Sequence, residues 1–138
     1  MSEEYVVECP GYFLELFKEI KPEKATREHI FCTKDVIARM VFDTPDASIS
    51  VTKNLDIVEV KGEVRTQRPK EVEREIESIT TQGAWGTKAT PCKVVERHVH
   101  EYDGTKIHHI HFACTLFLES PEILKSIIKK IEEIASKY

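Results

Sequence analysis

The chain has 138 residues, of which 41% are apolar and 32% charged, with a formal net charge of −4. That length suits one domain whose core stands without staples, and that balance excludes a disordered chain. The negative net charge makes nucleic acid an unlikely partner class, because a nucleic-acid domain carries a basic surplus. No apolar run approaches the ~20 residues that cross a bilayer, so no membrane span is expected.

The start, Met1-Ser2-Glu3-Glu4, is acidic. A signal peptide would place positive charge there and follow it with an apolar stretch, so the expected compartment is the cytoplasm. Cys9, Cys32, Cys92 and Cys114 form no CxxC pair, and the expectation is four small buried hydrophobes in a reducing compartment. Amide side chains are confined to Asn54, Gln67 and Gln82 while Lys and Glu abound. This is the compositional trend of thermophile proteins.

Along the chain, Tyr5-Val6-Val7 suits a short strand and Pro10 a helix first turn. Phe13, Leu16, Phe17 and Ile20 follow at the spacing of an amphipathic helix. Pro22 ends that helix, with one more helical turn expected over residues 23–28. Residues 29–33, 36–43, 48–53 and 55–66 read as an antiparallel meander of three or four strands, with Thr44-Pro45-Asp46 as a turn. Asp43 is read as part of that turn's chemistry. Pro69 opens a second helix with Val72, Ile76 and Ile79 on one face, and Gly83 is its expected stop. Residues 92–102 and 105–118 read as a hairpin around Asp103-Gly104. Ser120, Pro121 and Glu122 then start a final helix carrying Ile123, Leu124, Ile127, Ile128, Ile131 and Ile134 as one broad stripe.

The order is (β)α-β(3–4)-α-β2-α, a single α+β domain over residues 1–138 with an antiparallel sheet of five to six strands packed by helices. Two known architectures have a similar order. The secretion-chaperone-like fold runs αβββαββα, which the middle helix favours. The helix-grip fold runs βααβ6α around a ligand pocket, which the leading strand and long last helix favour. Both are analogies of topology, and neither carries a function.

Five of the six histidines fall between residues 98 and 111. A two-residue turn pairs Tyr102 with Thr105, His100 with Ile107, His98 with His109 and Glu96 with His111. A three-residue turn would shift the register by one and swap faces. The two-residue register is preferred because it joins Val95 and Val99 to the apolar face of Ile110, Phe112, Cys114, Leu116 and Leu118. Glu96, His98, His100, His109 and His111 then share the opposite face, at separations from which imidazoles can reach one zinc or other divalent transition metal. His98, His109 and His111 are the first candidates as ligands, and Glu96 is a ligand or orienting group. Cys92 has the same parity but lies too far along the strand to join. A pH-responsive interface and a plain polar face are the competing readings.

Phe117 and Ala113 fall on the histidine face, so a helix or a second copy of the chain is expected to cover that end, and a homodimer is the preferred reading. Trp85, in the glycine-flanked loop Gly83-Ala84-Trp85-Gly86, is a candidate partner contact or a buried plug. Arg65, Arg68, Lys70 and Arg74 gather near the start of the second helix, where they could take phosphate or another anion or form a solvated charge face. RNA binding through that region is a weaker third possibility. No Ser/His/Asp order can be read from spacing. The sequence alone does not name a function. Its two leading readings are a binding or adaptor module that acts through protein–protein contacts and a small-ligand or metal-binding protein or enzyme built on the histidine face.

Overall fold

The structure, a computed structural model, describes residues 6–34, 37–54, 56–82, 88–117 and 121–138. Its elements are β1 (Val6–Val7), α1 (Gly11–Ile20), β2 (Arg27–Thr33), β3 (Ile37–Asp43), β4 (Ala47–Asn54), β5 (Ile57–Thr66), α2 (Pro69–Glu77), β6 (Thr81–Gln82), β7 (Lys88–Ala89), β8 (Cys92–Tyr102), β9 (Thr105–Phe117) and α3 (Pro121–Lys137). The seven-stranded sheet has the order β1-β2-β3-β4-β5-β9-β8, and every pair in it is antiparallel. The α+β reading holds, with six strands of seven or more residues and a two-residue β1.

Strict alternation makes the sheet two-faced. In β3, Ala38, Met40 and Phe42 are buried and their neighbours are half-buried; in β4 the buried set is Ala47, Ile49 and Val51. These residues point to an inner face, which takes α3 through Leu124, Ile127, Ile128, Ile131, Ile134 and Ala135. Each fully buried Ile or Leu there contributes about 1.5–3 kcal/mol of transfer free energy. Phe17 of α1 stacks on Phe42 with ring centroids 5.5 Å apart, so α1 packs on the same face. Arg97 of β8 pairs with Glu73 of α2, which places α2 under the β8–β9 end of that face.

Gly62 is required by a close approach. A Cβ built on it would lie 1.9 Å from the Ser48 carbonyl oxygen on β4. Only a residue without a side chain lets β5 bend against its neighbour here.

Three local expectations are corrected. The extra helical turn over residues 23–28 does not form. The Glu132 carboxylate on α3 accepts the Glu23 and Lys24 N–H groups at 3.2 and 2.8 Å, and the Thr26 N–H goes to the Asp43 carbonyl at 2.7 Å, so β2 starts at Arg27. The second helix stops at Glu77, before the expected Gly83. There the Ser78 N–H and hydroxyl both bond to the carbonyl of Glu75, after which Thr81–Gln82 pairs with Lys88–Ala89 as a small ribbon.

The cysteines are the third correction. They are not free: disulfides join Cys9 to Cys32 and Cys92 to Cys114. The partners are 23 and 22 residues apart in sequence and meet only through the sheet, Cys92 lying directly opposite Cys114 in the β8–β9 ladder. Among the described residues, no helix is long and apolar enough to cross a membrane.

Candidate functional site

The site is the outer face of β5, β9 and β8. The β8–β9 turn has two residues, Asp103 at φ 48° and Gly104 at φ 79°. Two successive positive φ values are the geometry of a primed hairpin turn. They fix the register Tyr102↔Thr105, His100↔Ile107, His98↔His109 and Glu96↔His111. The three-residue alternative is therefore excluded.

That register is the expected one, but the expected reason for it fails. Val95 and Val99 are 61% and 54% exposed, so their burial does not set it. The ladder skips a residue between Val94 and Glu96, leaving Val95 as a bulge. Before the bulge, Cys92 and Val94 stand opposite Cys114 and Phe112 of the inner face; after it, Glu96 stands opposite His111 of the outer face. Cys92 thus lies on the opposite face from the histidines, and its expected shared parity with them is corrected.

The centre of the site is a residue the sequence did not single out. Glu63 on β5 lies directly opposite His111 of β9. Its Oε2 is 3.2 Å from His109 Nδ1 and 3.5 Å from His111 Nε2, while Oε1 accepts from Arg65 Nη1 at 3.0 Å. Burial opposes ionisation of Glu63, but hydrogen bonds and charge from His109 and Arg65 outweigh it and hold the carboxyl below the usual carboxylate range. The strand pattern does show Glu63 as outward-facing, since it alternates with buried Val60 and Val64. That β9, and not β8, lies against β5 is a tertiary fact with no local signal.

The five expected candidates do share this face, but they form two small groups. His98 and His111 meet edge to face with centroids 5.2 Å apart, and His100 and His109 do so at 4.6 Å. Glu96 Oε1 lies 3.0 Å from His98 Nε2, from which it can accept. The nitrogens of His109 and His111 face Glu63 while that of His98 faces Glu96, and among the described residues no three His, Cys, Asp or Glu side chains are disposed to hold a metal ion. A zinc or other divalent ion would require these side chains to turn.

Arg65 belongs to this face. Beyond Glu63, its Nη2 donates to the carbonyls of Thr44 and Pro45 at 3.1 and 3.3 Å. Arg68, Lys70 and Arg74 lie exposed at the N-cap of α2 and along that helix, and the Arg68 N–H is taken by Thr66 Oγ1 at 2.9 Å. The inner-face helix and the outer-face Arg65 thus divide the four residues expected to hold an anion. Trp85 and its loop lie outside the described residues. Asp43 accepts from the Ser48 hydroxyl, which is turn chemistry as expected.

Between the sheet and α3, Ile131, Met40, Phe42, Val60 and Val64 have no exposure at all. Clefts of about 720 and 380 Å³ lie on the helical side, one between Ile79 and Ile134 and the other between Ile20 and Ile128. A shallow depression of about 310 Å³ crosses the outer face between Ser50, Lys61, Glu63, Glu96 and His111. Beyond it the face turns apolar: Phe117 is 70% exposed and stands opposite Ile57, itself 46% exposed. Comparison with protein-family models, with curated proteins and with solved structures finds no match to this chain.

Proposed function

We propose that this protein is a small binding or adaptor domain that engages another protein through the outer face of its sheet. The observation that carries this reading is the contrast between the two faces. The inner face is filled by helices, whereas the outer face presents half-buried imidazoles, Glu63 and Arg65 at one end and the Ile57–Phe117 pair at the other. A patch with an apolar end and a polar, hydrogen-bonding end is the usual composition of a wet protein interface. The helix between the four-strand meander and the final hairpin supports the secretion-chaperone-like analogy over the helix-grip one, and a ligand pocket under the last helix is not needed. Site-specific photo-crosslinkers at Thr115 and Phe117, with Lys129 on the exposed flank of α3 as control, test it in the source cells. Discrete protein adducts from the first two positions alone are expected. Adducts from Lys129 alone, or none from the sheet, overturn it.

A second reading is favoured by one observation: two imidazole nitrogens lie within 3.2 and 3.5 Å of one Glu63 oxygen. Donors around a tetrahedral zinc at ~2.0–2.1 Å stand about this far from each other. Glu63, His109 and His111, with His98 turned inward, would then be the ligands. Calorimetric zinc titration of untagged protein tests it. Loss of binding in both His109→Ala and Glu63→Gln supports the reading, and unchanged binding in either removes it.

Composition and sulfur chemistry together support an intracellular reading. Disulfides are rare in mesophile cytosol but common inside hyperthermophiles. A Lys/Glu-rich, amide-poor chain with two disulfides fits an intracellular protein of such an organism.

A further inference from the structure

The two edges of the sheet are unlike. One is β1, two residues long; the other is β8, eleven residues long, with every side chain from Val95 to Tyr102 exposed. The Tyr102↔Thr105 pair closes a two-residue turn, so Tyr102, His100 and His98 spend their N–H and C=O groups on β9. Alternation then aims those of Arg97, Val99 and Glu101 at the open edge. A long, regular edge with free backbone groups is a template for another strand.

We propose that the occupant of this edge is a second copy of the chain, docked β8 to β8 about a twofold axis through Val99. The inference does not depend on the outer-face reading above. Twofold pairing allows only a few registers, and two independent criteria select the same one. Centred on Val99, the pairs are Val99 with the partner's Val99, Arg97 with the partner's Glu101, and Glu101 with the partner's Arg97. All three lie in regular strand, so the edge closes with six N–H···O bonds. Centring on His98 sends Glu101 to the bulge at Val95, and centring on His100 sends Arg97 to the turn at Asp103; each loses a bonded pair. Centring on Arg97 or Glu101 sets that charge against its own copy, and directly opposed like charges destabilise a sheet. Only the Val99 centre sets opposite charges across from one another twice and an apolar pair once; Arg97, which meets Glu73 of its own α2, then stands between two carboxylates. On the outer face it sets His98 opposite the partner's His100, and the reverse, so the two imidazole clusters become one continuous patch across the axis.

The test is a charge-swap cycle read by sedimentation velocity over a dilution series. Wild type is expected at twice 15.9 kDa. Glu101→Arg sets Arg97 against arginine and is expected to weaken the dimer about tenfold or more, given two opposed pairs per interface. Adding Arg97→Glu restores it, because the pairs are rebuilt in reverse; Glu73→Gln is carried in both variants, since Glu73 on α2 meets Arg97 and would repel a glutamate there. A wild type that stays monomeric at every concentration overturns the proposal. So does a dimer indifferent to Glu101→Arg, or one that the double swap fails to rescue although it folds. Should the double variant not fold, hydrogen exchange on wild type decides. The amides of Val99 and Glu101 are expected to exchange slowly when concentrated and fast when dilute, and concentration-independent exchange refutes the pairing.

Discussion

Removing the Cys92–Cys114 bridge should cost this domain about a quarter or more of a typical folding free energy. Its partners close a loop of 22 residues. The chain-entropy relation gives about 3.4 kcal/mol for a loop of that length at 25 °C. The two residues are 2% and 0% exposed, so replacing both by alanine also leaves a small void in the inner face and adds to the loss. At an unfolding entropy of ~2.1 cal/mol/K per residue, the entropic part alone lowers Tm by about 12 °C. The measurement is paired thermal and urea melts of wild type and the Cys92→Ala/Cys114→Ala variant. Mass spectrometry of denatured, unreduced wild type should find it four hydrogens lighter than the free-thiol chain. Equal melts, or thiols that titrate before reduction, would refute the reasoning. The other bridge gives an internal control. Cys9 is half-buried at the margin of the small Phe13–Ala38 cluster, so a mild reductant on native protein should open Cys9–Cys32 first and reach Cys92–Cys114 only when the fold opens.

Gly62→Ala should destabilise by about 1–3 kcal/mol, the usual cost of forcing extra volume into packed structure, because the added methyl meets the Ser48 carbonyl; a neutral change in urea melts would show that the strands relax freely. Glu63 is held below its ordinary value of 4.5 in the folded state, so its contribution is fully present above that value and is lost as pH falls through the depressed one. The stability gap between wild type and Glu63→Gln should therefore be full at neutral pH and shrink in acid, and a gap that grows in acid would contradict the assignment. Deleting Val95 should leave the domain folded with its histidines still facing outward, and nuclear magnetic resonance should still find the His109 ring beside Glu63. Unfolding of the deletion variant would show that the bulge is structurally required.

Most of the fold was legible because its signals are local. Alternation in β3 and β4, the Asp103-Gly104 turn and the Ile/Leu stripe of α3 each need only a short window of sequence. The hairpin register was legible too, although through the turn residues and not through Val95 and Val99. What failed was every feature decided by a distant partner. Glu132 on α3 takes the N–H groups that a helix over residues 23–28 would have used. Cys92 finds Cys114 only once a bulge has shifted the ladder. Glu63 becomes the centre of the site only because β9 slots between β5 and β8. The site was half visible for the same reason: the imidazoles announce themselves by density in one hairpin, whereas the carboxylate they share comes from another strand.

The bulge resolves a conflict between the two halves of β8. Its first half is apolar and must face α2 and α3, as Cys92 and Val94 do. Its second half alternates Glu96, His98 and His100 with Arg97 and Val99. Were Val95 to take a place in the regular alternation, a strand anchored by Cys92 on the inner face would carry Glu96, His98 and His100 on that face as well, toward α2 and Glu73. Glu96 would then face the Glu73 carboxylate that Arg97 now meets, and like charges at that range repel. The bulge at Val95 turns them outward and leaves Arg97 on the helix side, where Glu73 meets it. Deleting Val95 restores the same phase by the opposite route, since Glu96 then follows Val94 directly in the alternation. The residue therefore adds nothing to the choice of face that its absence would not also give. What it does change is the edge. A bulge interrupts the run of backbone groups along an edge and twists the strand, which confines regular pairing on this edge to Glu96–Tyr102 and, in the proposed dimer, disfavours the register centred on His98.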